Sequence, residues 1–175
     1  MFKITIQIAI PQDALEDIRN RNLDELRNDP HLSGYFQVET DDLKFGFVQN
    51  KPIEAEEQGW DLPIFWLNHL MEAIKDLPIY KYVAIWKIGS LGQYLSFSLN
   101  ENNFAQISEV ISKDKDKPFL NEKPSDGFIK QQSKMLIPFD NLCSEVLNAR
   151  DVFLKDLSEI NPLFLEVDDI RSLQI

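Results

Sequence analysis

The sequence predicts an α+β fold: a single, largely antiparallel sheet of about five or six strands, with helices packed mainly on one face. Three observations carry that expectation. Apolar residues alternate at period two in the N-terminal segment, and runs rich in aromatic, β-branched or apolar residues flank two turn-like junctions. Two longer segments repeat them at helical spacing, and no linker or internal repeat divides the 175 residues. A chain of this length forms one domain and buries roughly 70% of its unfolded surface.

In "MFKITIQIAIPQD", Phe2, Ile4, Ile6, Ile8 and Ile10 fall on one face of a strand and Lys3, Thr5 and Gln7 on the other. No small-residue cleavage site follows, so this run reads as a strand and not as a leader. Leu15, Ile18, Leu23 and Leu26, set among charges, predict one or two short surface helices stopped at Pro30. "YFQVETDDLKFGFVQN" is a hairpin around Thr40-Asp41-Asp42. The next helix has Asp61 placed to cap it, Pro63 in its first turn and Pro78 as its stop after Leu77. Its polar residues Asn68, Glu72, Lys75 and Asp76 make one narrow stripe, so Trp66 and Leu70 belong to the core.

Tyr82 to Ile88 is nearly continuous in apolar residues, the pattern of a central strand. After a turn at Gly89-Ser90-Leu91-Gly92, Leu95, Phe97 and Leu99 alternate with Ser96 and Ser98, a strand with a wetter face. "SKDKDKPFLNEKPSDG" is charged and proline-punctuated and reads as a loop. A last helix, Pro138 to Ile160, buries Phe139, Leu142, Cys143, Val146, Phe153, Leu157 and Ile160. It presents Asp140, Ser144, Asn148, Asp151, Lys155 and Glu159 outward, and Asn161-Pro162 ends it.

The chain is 43% hydrophobic and 11% aromatic, enough for a core, and it carries a net charge of -11. The charge is concentrated: residues 39 to 61 have a net of -5 and residues 140 to 169 a net of -6. Such a surface repels nucleic acid and anionic membrane and speeds encounter with a basic partner. No apolar run reaches the roughly 18 residues needed to span a bilayer. The single cysteine, Cys143, permits no internal disulfide, so the expected compartment is the cytoplasm.

Catalytic and metal-binding patterns are not seen in the sequence. His31 and His69 lack ligand spacing to each other or to Cys143, so neither a metal nor a cofactor is expected. No phosphate-loop, dinucleotide or zinc-protease motif occurs. Ser112 to Lys115 matches Ser-x-x-Lys only within the charged loop, and Cys143 and Ser133 have no base placed beside them. Asp41-Asp42 and Asp168-Asp169 fit turn and helix-terminus roles better than cation binding. The candidate partner-binding residues are therefore Glu54, Glu56, Glu57, Trp60 and Asp61 in one acidic segment, with Asp140, Asp151 and Glu159 on the late helix. An aromatic ringed by carboxylates has the composition of an interface anchor with a steering rim.

The succession "FKITIQIAI", "YFQVETDDLKFGFV", "FWLNHLMEAIKDL", "YVAIWKIGS", "QYLSFSL" and "FDNLCSEVLNARDVFLKDL" resembles the small acidic immunity proteins encoded beside bacterial polymorphic or contact-dependent toxins. The likeness covers most of the chain as a layout of elements, and the glycine-rich core motif of the widespread immunity family is not matched. It implies a cytoplasmic binding protein without catalytic residues that blocks a cognate toxin domain, often a basic nuclease. Two other classes stay open: a small enzyme with a site near His69, Ser90 or Trp60, and a structural or regulatory adaptor. Homo-oligomerisation is also left open.

Overall fold

In the computed structural model, residues 1–28, 32–41, 43–49, 59, 61–112, 117–123 and 130–175 are described. The chain runs β1 (Lys3–Ile8), α1 (Gln12–Asn20), α2 (Leu23–Asn28), β2 (Gly34–Glu39), β3 (Lys44–Phe47), α3 (Pro63–Tyr80), β4 (Tyr82–Trp86), β5 (Gln93–Leu99), β6 (Phe104–Ile111), β7 (Phe119–Leu120), β8 (Lys130–Pro138) and α4 (Phe139–Ile160). Two 3-10 turns, Pro162–Glu166 and Ser172–Gln174, flank a final short helix α5 (Asp168–Arg171). The α+β class is as expected, but the strands form two sheets, not one: β1-β2-β3 and β7-β4-β5-β6-β8. Alternation identifies a strand without saying which neighbour it pairs with. Here the β2–β3 hairpin joins β1, while β4 and β5 open a second sheet after α3.

The backbone groups into two compact units. The first comprises Met1–Ile4, Val38–Phe45 and His69–Val146 and contains the five-stranded antiparallel sheet. One face of that sheet carries Val83, Ile85, Leu95, Phe97, Ala105 and Ile107, all fully buried. The α3 segment lies on this face, since His69 stacks at 5.5 Å on Phe119, the register partner of Ile85. The apolar run after Leu77 ends differently from expectation. Helix α3 continues through Pro78 to Tyr80, where Lys81 at φ +62° donates its N–H to the Leu77 carbonyl. Proline removes one amide near the helix end, where the lost bond is least disruptive.

Three strands, β6, β7 and β8, were not assigned from the sequence; β6 and β8 with β5 make most of this sheet, and the two-residue β7 pairs with β4 from within the stretch expected to be a loop. The β4 strand ends at Trp86, and the turn to β5 uses Gly89 and Gly92 at positive φ, so this junction is the expected hairpin. Ser96 is not on a wet face; only 5% of it is exposed.

The second unit comprises Thr5–Gln37, Gly46–Asn68 and Leu147–Ile175. Trp66 is fully buried, as its place off the polar stripe of α3 predicts, and stacks on Phe36 at 3.9 Å with ring planes 9° apart. Gly34 is required beside it, because a Cβ there would run into the Gln7 carbonyl and the Pro63 ring. At α2, Asn22 Oδ1 accepts the amides of Asp24 and Glu25 while Glu25 accepts the Asn22 amide, a reciprocal cap. Asn161, 3% exposed, donates from Nδ2 to the carbonyls of Ile18 and Arg21 at 3.0 Å and accepts the Leu163 amide at Oδ1. One amide group thus closes the end of α1 and starts the turn that follows α4. On α4, Ala149, Phe153 and Leu157 are buried, whereas Asn148, Asp151, Lys155 and Glu159 are exposed as the helical spacing predicts.

Two stability predictions follow from this packing. Phe153→Ala should cost about 3–5 kcal/mol in urea titrations, against less than about 0.5 kcal/mol for Asp151→Ala. Equal losses would mean that the buried face is wrongly placed. Asn161→Ala should cost about 1–3 kcal/mol through the carbonyls it orphans. Asn161→Asp should cost more, because a carboxylate would face those same oxygens, and a neutral Asn161→Asp result would show that the amide is dispensable.

Candidate functional site

Of the eight acidic-surface candidates, Glu54, Glu56, Glu57 and Trp60 lie outside the described residues. Asp61 is half-buried and committed to the fold. Its backbone exchanges two 3.0 Å hydrogen bonds with Gly34, and its Oδ1 accepts the Trp66 indole N–H at 3.0 Å. The first bond of α3 runs from the Trp66 amide to the Leu62 carbonyl, one residue later than a cap at Asp61 would place it. Asp61 therefore orients the buried ring instead of closing the helix end.

Asp140 is exposed in the first turn of α4, in the first unit. Asp151 and Glu159 belong to the second unit and share a face of α4. At 100° per residue, Leu147, Asp151, Lys155, Asn148, Glu159 and Val152 fall within an arc of about 140°. All six are exposed, including Leu147 at 36% and Val152 at 46%. The acids are paired along the helix, Asp151 with Arg150 at 2.8 Å and Glu159 with Lys155 at 3.6 Å. The Lys155–Glu159 pair is open to solvent and worth at most about 1 kcal/mol, so a partner's cation can replace Lys155 at little cost, whereas Arg150 is largely covered. Burial, and then Glu159, push the nearby Asp156 carboxyl above its ordinary range. The result is a polar, acid-bearing stripe edged by two exposed apolar side chains.

The other residues singled out by sequence hold local structure. His69 Nδ1 lies 3.1 Å from Glu72 Oε2, with its ring against Phe119. Ser90 Oγ accepts the Gln93 amide in the β4–β5 turn. Burial, with Asp140 second, pushes the Cys143 thiol up, which keeps it protonated and weakly nucleophilic. Asp41 pairs with the N-terminal ammonium at 2.7 Å, and Asp168 and Asp169 open α5. His31 and Asp42 lie outside the described residues. Among the described residues, no three His, Cys, Asp or Glu side chains converge as a metal site, and no helix is long and apolar enough to cross a membrane.

One constellation escaped the sequence reading. On the second face of the five-stranded sheet, hydroxyl and amide groups occur in register across the strands: Tyr82 opposite Ser98, Ser98 opposite Gln106, and Ser96 opposite Ser108. Ser96 Oγ donates to the Ser108 carbonyl at 3.1 Å, and Gln106 Nε2 reaches Ser108 Oγ at 3.4 Å. Tyr82 is 6% exposed and Ser108 1% exposed, beside an apolar cluster of Ala84, Tyr94, Val110 and Leu120. Burial pushes the Tyr82 hydroxyl far above its ordinary 10.0, against the pull of the Ser96 side chain. The signal available in the sequence was the Ser96/Ser98 alternation, which marks a polar face but not its burial.

Comparison of the chain with protein-family models, curated proteins and solved structures finds no match.

The raised Tyr82 value has a definite sign. Above pH 10 an unfolded Tyr82 loses its proton while the folded one keeps it, so its contribution is full below pH 10 and declines as pH rises further. Tyr82→Phe should therefore flatten the loss of stability above pH 10, measured as urea midpoint against pH. An unchanged alkaline slope would show that this hydroxyl is not shielded.

Proposed function

We propose that this chain is a cytoplasmic immunity protein: it binds a cognate bacterial toxin domain and neutralises it by occlusion, without chemistry of its own. The observation that carries the reading is the outer face of α4, where exposed Leu147 and Val152 stand among Asn148, Asp151, Lys155 and Glu159. Leu147 and Val152 edge this polar stripe on either side, so a partner covering it would gain desolvation energy at its edges while the charges between them select the partner. The net of -6 over residues 140 to 169 favours a basic partner, such as a nuclease domain whose own surface is built for phosphate. The same charge disfavours direct contact with nucleic acid or anionic lipid. Segment 39 to 61, with its Trp60, Glu54, Glu56 and Glu57, extends the acidic candidates in the sequence.

Co-expression with the toxin domain from the adjoining reading frame tests this reading. The chain should restore growth, and Val152→Arg combined with Asp151→Lys should abolish that protection while leaving the circular dichroism melt unchanged. Association should slow markedly as salt rises, because exposed charges are screened within about 3 Å at 1 M. Protection that survives the double substitution would move the interface away from α4, and no protection by the native chain would remove the proposal.

A further inference from the structure

We propose that the second face of the five-stranded sheet is a binding site for a small organic anion, a carboxylate or phosphate on a hydroxyl-bearing body, held between Lys81 and Lys123 over the Tyr82–Ser98–Gln106 row. A cleft of about 680 Å³ opens there, within the size range of small-molecule sites. Its floor is a row across adjacent strands, Tyr82 to Ser98 to Gln106, continued by Leu136 of β8. In this row Tyr82 is buried, Ser98 and Gln106 are half-buried, and Gln106 is tied to the buried Ser108, so the floor is polar and partly open to a ligand. A ligand bearing hydroxyls matches such a polar floor better than an apolar one does.

The rim supplies the charge. Lys123 Nζ sits 5.9 Å from the centre of the Tyr82 ring, and Lys81 and Glu122 also line the cleft. Two ammonium groups against one carboxylate make this a locally positive cleft on a chain of net charge -11. Lys81 adds a second, independent indication. It occupies the left-handed region at φ +62°, where glycine or asparagine is the low-energy choice at a helix end. Its backbone is held from both sides, donating to Leu77 and accepting from the Leu99 amide. A lysine kept at a position that disfavours any Cβ points to a use for its ammonium. The site is separate in kind from the acidic α4 surface and does not depend on it.

Amide shifts of the ¹⁵N-labelled chain test the site, with titrations of inorganic phosphate, citrate, a hexose monophosphate and the uncharged hexose at constant ionic strength. Saturable shifts at Lys81, Tyr82, Ser98 and Gln106 are expected with the anions and not with the hexose. Preference for the hexose monophosphate over citrate would assign phosphate, and the reverse would assign carboxylate. Lys81→Gly should weaken binding by about tenfold or more while leaving the melting temperature equal or higher, since it removes the charge and relieves the backbone. Shifts that never saturate, that lie elsewhere, or that persist unchanged in Lys81→Gly and Lys123→Gln would overturn the proposal.

Discussion

The Asn161 side chain is the constraint on which the second unit turns. The carbonyls at a helix C-terminus have no partner within the helix, and at α1 two of the groups involved, Ile18 and Arg21, are answered by a residue some 140 positions away. The same side chain begins the 3-10 turn that follows α4. Because it is almost wholly buried, water cannot substitute for any of these bonds. The end of α4 is thereby fixed in rotation as well as in position. Rotation is what decides that Phe153 and Leu157 point inward while Asp151, Val152 and Glu159 point out. The buried Ala149, Phe153 and Leu157 and the Asn161 bonds at the helix end therefore agree on which face of α4 is left outside.

A comparable economy governs the ring of Trp66. Its large surface drives burial, but its indole N–H must be matched once water is gone. Asp61 supplies the acceptor and is itself held by backbone pairing with Gly34, whose missing Cβ lets Gln7 and Pro63 approach. A residue that looks in sequence like part of an acidic docking patch is thus tied up in folding. Charge counted along a chain overstates charge available to a partner whenever a carboxylate faces an interior donor.

What the sequence made legible follows from how local each signal is. The hairpin at Thr40, the lopsided α3 and the amphipathic α4 rest on periodicity within one segment, and all three stand in the structure at nearly the expected limits. The division into two sheets is non-local, because nothing in the pattern of β1 or β4 names its neighbour. The β8 segment was missed because "KQQSKMLIP" opens with five polar residues, and β6 because an irregularity between Ser108 and Glu109 breaks the period-two alternation of "FAQISEVI". Among the site residues, the exposed positions Asp140, Asp151 and Glu159 were recoverable from helical spacing alone. Tyr82, Gln106 and Ser108 were not, since their proximity exists only through the registers of β4, β5 and β6.

The two proposed surfaces obey different electrostatic ranges. Steering of a basic protein toward α4 depends on many exposed carboxylates acting together, an effect that weakens as salt screens them over about 8 Å at physiological strength. Holding a small anion depends instead on a few groups at contact distance, where screening ions are displaced and the low-dielectric floor strengthens each bond. A chain of net charge -11 is therefore not barred from binding an anion; the two ammonium groups and the hydroxyl row at the cleft outweigh carboxylates whose fields water and salt have already damped. The polar row across the strands is the deciding element of that proposal. Charge alone attracts any anion, but a fixed array of Tyr82, Ser98 and Gln106 discriminates by shape and hydrogen-bond order, because a ligand that mismatches it strands polar groups on both sides.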